Sequence, residues 1–337
     1  MSIRKISSGS RNMITLHSDR KKLISREVKR KNLKLIKEAI WIDLLSPTKS
    51  EEEMLEKVFG LNIPTREEMR SIELSSRLYK QNEILYMTAM MIAGSTTSEP
   101  QHEPVSFILT SEKLITVRYI EPQAFPLFLS QVNNLQLAHH NAPAILMGLL
   151  EAIVDRLADN LELVGEELDE VSKKIFGQGY LSKRARKVNY QSIVRKIGFY
   201  ADLNNKVRDS LVTFSRLFRF LSQNIEFSLD KGMKLRMATI TEDIDALSDY
   251  AGFIANKVSF LLDATLGFIS IDQSIIIKIF SVAAVIFLPP TLIASIYGMN
   301  FKFMPELSWK WGYLFAIIMM ILSGIFSYKF FKYKKWL

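Results

Sequence analysis

No cysteine occurs anywhere in the 337 residues, which excludes disulfides, iron–sulfur clusters and thiolate zinc sites. Histidine is nearly as scarce. The four present, His17, His102, His139 and His140, have no ligand-like helical spacing, so a resident transition-metal centre is not expected. Also missing are a glycine-rich phosphate loop and any Ser/His/Asp set or paired carboxylates at a recognisable spacing. The chain therefore does not read as an enzyme, and neither a nucleotide nor a haem is expected as cofactor. Proline is missing selectively: of ten, seven fall between Pro47 and Pro143, and none from Ala144 to Leu288. Proline interrupts helices, and the proline-free region carries heptad-like apolar spacing with abundant Glu, Lys, Leu and Ala, so it is expected to be helical. The first twenty residues mix Arg4, Lys5, Arg11, His17 and Arg20 with polar residues and lack the apolar core of a signal peptide; a cytoplasmic amino-terminal domain is expected.

Long apolar runs, by contrast, are present. Ile279 to Gly298 is twenty residues without a charge and Trp311 to Tyr328 is eighteen, each near the length a helix needs to cross a bilayer. Only about a dozen residues separate them, which forces an antiparallel hairpin with its loop on the far side of the membrane. Lys329, Lys332, Lys334 and Lys335 follow the second run, and by the positive-inside rule this end is cytoplasmic, so both termini are expected there. A mean hydropathy near zero with 23% charged residues reflects this concentration of apolar residues in the last sixty or so positions, after an ordinary soluble sequence. A chain of this length is too large for a mere anchor.

Within residues 1–140, strands are expected at Ile40–Leu44, Ile84–Ile92, Val105–Leu109 and Leu114–Tyr119, with helices at Lys49–Phe59 and Arg66–Glu73. Ser50 is the candidate cap of the first helix, with Glu53 completing a capping box. Strands interleaved with helices give an α/β domain. An acidic amphipathic helix then runs from Ile145 to Phe176, closed by Gly177, and a basic one from about Ser182 to Asn224; the two are expected to pair as an oppositely charged hairpin. Solvated helical faces account for the basic residues better than nucleic-acid binding does, since aromatic interleaving and a nucleic-acid fold signature are missing. A third helix starts near Lys231, and nothing stops it before Pro289. Run unbroken to Tyr297, it is about 100 Å long at 1.5 Å per residue, which calls for packing against its neighbours and against copies of itself.

The expected fold is thus an α/β amino-terminal cytoplasmic domain, a long α-helical stalk and a two-helix transmembrane hairpin. Its divisions are an α/β domain over 1–143, antiparallel helices over 144–230, a stalk over 231–274 and a first span over 275–299. A loop over 300–310, a second span over 311–330 and a basic tail over 331–337 complete it. Counting about 100° per residue from Ser274, the residues Ile277, Ser281, Ala284, Leu288, Thr291 and Ser295 fall within an arc of about 100° on the third helix, and Asp263 extends that arc down the stalk. Small and hydroxyl residues on one face suit close helix packing and a pore equally well. Pro289-Pro290 has the same duality, either a kink or a source of free carbonyls that line a water-filled path.

The loop motif bears on the choice. Tyr297-Gly298-Met299-Asn300 at the end of the first span, Met304-Pro305-Glu306-Leu307 after it and Lys332-Tyr333-Lys334-Lys335-Trp336-Leu337 at the end of the chain resemble the CorA family of divalent-cation transporters. The resemblance is densest from Leu261 to Leu337, and Trp41-Ile42-Asp43-Leu44 extends it loosely to the whole chain. It implies a homopentameric funnel in a bacterial inner membrane, in which five first spans line a central pore for magnesium and, more loosely, cobalt or nickel. Gly298, Met299 and Asn300 would form the outer site for the hydrated ion, and Glu306 would attract cations to the mouth. Ser274, Ile277, Ser281, Ala284, Thr291 and Ser295 would line the pore, and Phe280 and Leu288 would form its hydrophobic gate. Ser274 departs from the pattern, because Asn is frequent at that place. Cytosolic magnesium gates family members through acidic residues, for which Asp263, Glu242, Asp243, Asp245 and Asp249 are the candidates. A zinc transporter of the same superfamily is the nearest alternative, and a membrane-anchored scaffold or signalling protein is the alternative from another class.

Overall fold

The computed structural model describes residues 13–18, 24–27, 33–135, 141–177, 189–224, 231–299, 304–305 and 309–334. The chain divides into two compact units, Met1–Leu261 and Leu262–Leu337. In the first, the elements run β1 (Met13–Ser18), β2 (Ile24–Glu27), α1 (Leu33–Glu38), β3 (Trp41–Leu45), α2 (Lys49–Phe59), α3 (Arg66–Arg70), α4 (Leu74–Arg77), β4 (Leu78–Gln81), β5 (Ile84–Ala93), β6 (Gln101–Leu109), β7 (Leu114–Arg118), α5 (Ala124–Leu135), α6 (Ala142–Phe176) and α7 (Tyr190–Asn224). Helix α8 (Lys231–Tyr297) begins in the first unit and continues into the second, where α9 (Gly312–Tyr333) follows. The α/β domain, the long helix and the two apolar carboxy-terminal helices are those expected.

The strands form one seven-stranded sheet in the order β2-β1-β3-β7-β6-β5-β4, with β3 and β7 parallel and every other pair antiparallel. Alternation along the strands divides the sheet into two faces. On one, Ile14 and Leu16 of β1, Ile42 and Leu44 of β3 and Ile115 and Val117 of β7 pack with Ile36, Leu55 and Met69 from α1, α2 and α3. The other face of the same three strands carries polar groups. Asp43 pairs with Arg118 at 2.8 Å, Thr116 Oγ1 donates to Asp43 Oδ1 at 2.7 Å, and Trp41 Nε1 donates to Thr116 Oγ1 at 3.0 Å. Arg118 Nη1 donates to the Ile120 carbonyl at 2.8 Å, and the guanidinium lies 4.7 Å from the Phe125 ring centre. A buried charge is tolerated when every polar atom around it is matched, and this network meets that condition.

Helix α7 covers the far part of the sheet. Beyond the Leu78–Met87 pair at which β4 begins, the Met90 N–H of β5 is taken up by Thr213 Oγ1 of α7 at 3.0 Å. Between α6 and α7 the seam is mainly apolar, with Leu203, Val207, Leu211 and Phe214 buried, rather than the ladder of opposite charges expected. Among the described residues one ion pair joins them, Lys196 with Glu167. Other acids of α6 reach α8 instead, in Glu151 with Arg236 and Asp169 with Lys257. These pairings make α6 and α8 run in the same direction.

Several local expectations need correction. The cap of α2 is Thr48, not Ser50, and its capping box closes through Glu51 rather than Glu53. Two overlapping boxes were available, and the earlier one adds two residues to the helix, each with its own backbone bond. The helix expected over Arg66–Glu73 ends at Arg70, and a separate short helix, α4, follows from Leu74. Strands β1, β2 and β4 and helices α1 and α5 were not anticipated, and β5 and β6 are longer than expected. The start of the basic helix at Ser182 lies outside the described residues, as do His139 and His140.

His17, 1% exposed, stacks on Trp41 with ring centres 4.1 Å apart, and burial lowers its pKa to about 4, against a smaller upward pull from Asp43. An unfolded histidine takes up its proton near pH 6.5 while the folded one stays neutral, so stability present above pH 6.5 is lost as pH falls toward 4. At about 1.4 kcal/mol per unit the loss is about 3 kcal/mol. Denaturation of the full chain in detergent at pH 7.5 and pH 4.5 checks this: the wild type loses more stability than His17→Phe by roughly that amount.

Candidate functional site

The second unit is built from the apolar end of α8 and from α9, which among the described residues are the two helices long and apolar enough to cross a membrane. Little of either is buried within one chain. Within the apolar run of α8, Val282 is buried and Ala283, Ile286, Pro289, Pro290, Ile293 and Tyr297 are half-buried. Steps of three and four keep most of these on one face. On α9, Gly312, Ala316, Ser327 and Phe331 are buried, with Ile317, Met320, Ser323 and Gly324 half-buried between them. Small residues let helix backbones approach closely, and a Cβ placed on Gly324 would lie 3.7 Å from the Pro290 ring. The intrachain packing of the hairpin is therefore the face of α8 through Val282 and Ile293 against the small-residue face of α9.

The hydroxyl-bearing stripe lies elsewhere. At about 100° per residue its centre is about 160° from that of the α9-facing residues, nearly opposite. Ser274, Ile277, Ser281, Ala284, Leu288, Thr291 and Ser295 are all exposed, as are Phe280 and Asp263. Packing of the stripe inside the hairpin is thus ruled out as its purpose. Ser274 Oγ donates to the Ser270 carbonyl at 2.8 Å and Thr291 Oγ1 to the Phe287 carbonyl at 2.7 Å. Each hydroxyl spends its proton on its own helix and presents lone pairs outward, an arrangement suited to cations and to the hydrogens of their water shells. The missing N–H groups of Pro289 and Pro290 leave the Val285 and Ile286 carbonyls without the usual helical donor, with Ile286 on the α9-facing side rather than on the stripe. Phe280 and Leu288 interrupt the polar groups with large side chains.

At the end of α8 the Gly298 N–H donates to the Ala294 carbonyl at 2.9 Å, and a Cβ at Gly298 would sit 3.2 Å from that same oxygen. A side chain there would crowd the last turn, which is a local reason for glycine before Met299. Asn300 and Glu306, expected at the outer site and the mouth, lie outside the described residues.

Of the acidic candidates on the lower part of α8, Glu242, Asp245 and Asp249 are exposed and not gathered with other acids in any described cavity. Asp243 differs. With Glu151 and Asp155 of α6 it lines a cavity of about 200 Å³, whose wall also includes Thr239 and Arg236. Burial raises the Asp155 pKa, and Glu151, Asp159 and Asp243 raise it further. Glu151 and Asp155 were missed in the sequence; their four-residue spacing was visible, but not which face of α6 meets α8. Among the described residues of one chain no group of three His, Asp or Glu side chains is placed to hold a metal.

This architecture, an α/β domain leading through one unbroken helix to a membrane hairpin with a hydroxyl stripe turned away from its own partner helix, is that of a membrane ion transporter. Residues 37–334 match the family model described as CorA-like Mg2+ transporter protein, and the chain belongs to the CorA family. It is 36% identical over 299 residues to the magnesium transport protein CorA of Pectobacterium atrosepticum and 35% to that of Escherichia coli K12, covering 89% of this chain and 92% of each relative. Among solved structures, the CorA magnesium transporter of Methanocaldococcus jannaschii superposes with a TM-score of 0.69 at 16% identity, covering 96% of this chain and 98% of that one. Full-length CmaX superposes at 0.62 and 15% identity, covering 98% and 100%. The cytoplasmic domain of ZntB from Vibrio parahaemolyticus gives 0.55 at 13% identity, covering 77% and 98%.

The α8–α9 contact has a direct test. Gly324→Ala is expected to be tolerated, since the added methyl meets Pro290 at an ordinary distance. Gly324→Leu overpacks the seam and costs about 1–3 kcal/mol of hairpin stability. Thermal inactivation of the purified protein in detergent reads the difference between the two variants.

Proposed function

We propose that the chain carries magnesium into the cytoplasm through a homopentameric channel in a bacterial inner membrane, with both termini cytoplasmic. The observation that carries this is the exposed stripe of α8 opposite α9, in a chain whose relatives at 35–36% identity are magnesium transport proteins. A ring of identical subunits closes around a rotation axis, and such a ring gives five copies of the stripe one another to face across water. Magnesium gives up its hydration shell reluctantly. Neutral amide oxygens of Asn300 and carbonyls near Gly298 and Met299 suit recognition of the hydrated ion, where carboxylates would hold it too tightly. Glu306, in five copies, concentrates cations at the mouth. Inward movement needs no nucleotide, because a divalent charge crossing 100 mV gains about 4.6 kcal/mol.

Cobalt and nickel fit the same neutral-oxygen path. Zinc transport has less support, since the relatives named above are magnesium proteins and the likeness to the ZntB domain is one of fold. Regulation by cytosolic magnesium is assigned to the acidic cavity of Asp243 with Glu151 and Asp155, completed by a neighbouring copy, with Asp263 a further acidic ring below the pore; Glu242, Asp245 and Asp249 remain secondary candidates. The divisions at 143, 230, 274, 299, 310 and 330 follow from this reading as functional parts of the chain.

The experiment is uptake into proteoliposomes loaded with a magnesium indicator, with and without an imposed potential, for magnesium, cobalt, nickel and zinc. Magnesium influx should rise with an inside-negative potential, and Asn300→Ala should abolish it while the oligomer persists on gel filtration. Normal uptake by Asn300→Ala would defeat the outer-site assignment, and a proton-coupled zinc flux would favour the alternative.

A further inference from the structure

Asn204 is a polar side chain in an apolar seam. It lies on α7, is 1% exposed, and its amide Nδ2 donates to the Ala251 carbonyl of α8 at 3.1 Å. Its Oδ1 is buried and has no hydrogen-bond partner among the described residues. Flipping the amide would set two oxygens against each other at that distance, so the orientation follows from the carbonyl it faces.

The stripe of α8 packed within the first unit runs Met237, Ile240, Ile244, Leu247, Ala251, Ile254, Val258 and Leu261, in alternating steps of three and four. Such spacing keeps one face of α8 toward its neighbours in the first unit. Seven of its eight members are large or branched, and Ala251 is the exception, fully buried opposite the Asn204 amide. Sliding α8 by one heptad along α7 would bring Ile244 or Val258 to Asn204, and a branched side chain would stand where the amide now reaches the backbone. A lone polar residue in such a seam specifies register. The lock is only half satisfied, because the register that makes the Nδ2 bond leaves Oδ1 buried and unpaired, and an unpaired buried acceptor destabilises the state that contains it. It therefore holds one axial position while weakening its own hold.

We propose that Asn204 is a positioning residue for transport: it fixes the axial register of α8 against α7 and so sets the cytosolic magnesium concentration at which influx is shut off. This rests on the magnesium-transport reading. The lever is α8 itself, a single helix from Lys231 through Ala251 to Tyr297, so a change of register at Ala251 is carried to the stripe residues without an intervening hinge in the first unit. The Asn204 amide touches no ion in this account; it acts through α8.

Two variants of the full-length protein test it. Asn204→Leu removes the amide and the unpaired oxygen, and is expected to fold at least as well as the wild type. Ala251→Leu leaves Asn204 in place but fills its hole from the other helix. In proteoliposomes both should shift the internal magnesium concentration for half-inhibition of influx by at least threefold, while influx with no internal magnesium stays within twofold of wild type. Hydrogen exchange in detergent is the second reading. Amides of α8 near Ala251 should change their protection at least tenfold in Asn204→Leu, with those of β5 and β6 unchanged. Half-inhibition within 1.5-fold of wild type in both variants overturns the proposal, as does unchanged exchange near Ala251. Absence of magnesium influx from the wild-type protein would instead refute the transport reading, and the exchange arm would still decide whether Asn204 sets the register.

Discussion

Every backbone N–H and C=O that enters hydrocarbon has to be satisfied inside the protein, and the rest of this structure depends on how α8 meets that requirement. One helix serves two solvents. In its first part it packs by a regular stripe against helices of the first unit, and in its second it is apolar all round. The two prolines are the calculated exception. They remove two donors at the level where the stripe carries Leu288 and Thr291, leaving carbonyls that need a partner from outside the helix.

The faces of α8 explain why a single chain is an incomplete object. One face is taken by α9 through small residues, and the opposite face bears hydroxyls whose protons are already spent on the helix. Lipid offers such a face nothing. Water and a hydrated cation do, and in the proposed ring further copies of the same face would enclose them. The stripe from Ser274 to Ser295 carries no charged side chain, which suits a hydrated divalent cargo, and on the same arc carboxylates come only below it, at Asp263 and Asp245.

Much of this was legible in the sequence. The bounds of α8 followed from the absence of proline before Pro289 and from Gly298, and the stripe followed from counting residues around a helix. The expected strands at β3, β5, β6 and β7 were visible because their residues are β-branched, aromatic and apolar in short runs. Strands β1, β2 and β4 were not, since Ile24–Glu27 and Leu78–Gln81 are short and mostly polar, as edge or near-edge strands are. The polar network of Trp41, Asp43, Thr116 and Arg118 joins residues more than seventy positions apart and needs the parallel pairing of β3 with β7. The acidic cavity was half legible: Asp243 was singled out, but Glu151 and Asp155 required knowing that α6 and α8 run side by side in the same direction. The pairing of α6 with α7 is found, but its seam is held by buried apolar residues rather than by opposite charges, since exposed ion pairs contribute little.

The central claim is that the hydroxyl stripe of α8 lines the ion path, and the natural absence of cysteine makes it directly measurable. Single cysteines at Thr291 and at Ile293 place a thiol on the stripe and on the α9-facing side, two residues apart. Magnesium influx into proteoliposomes is then recorded before and after reaction with a positively charged, membrane-impermeant thiol reagent. The account predicts that the reagent cuts influx through Thr291→Cys at least tenfold and leaves Ile293→Cys unchanged; equal influx before and after reaction in Thr291→Cys with its thiol fully modified, or block confined to Ile293→Cys, would contradict it.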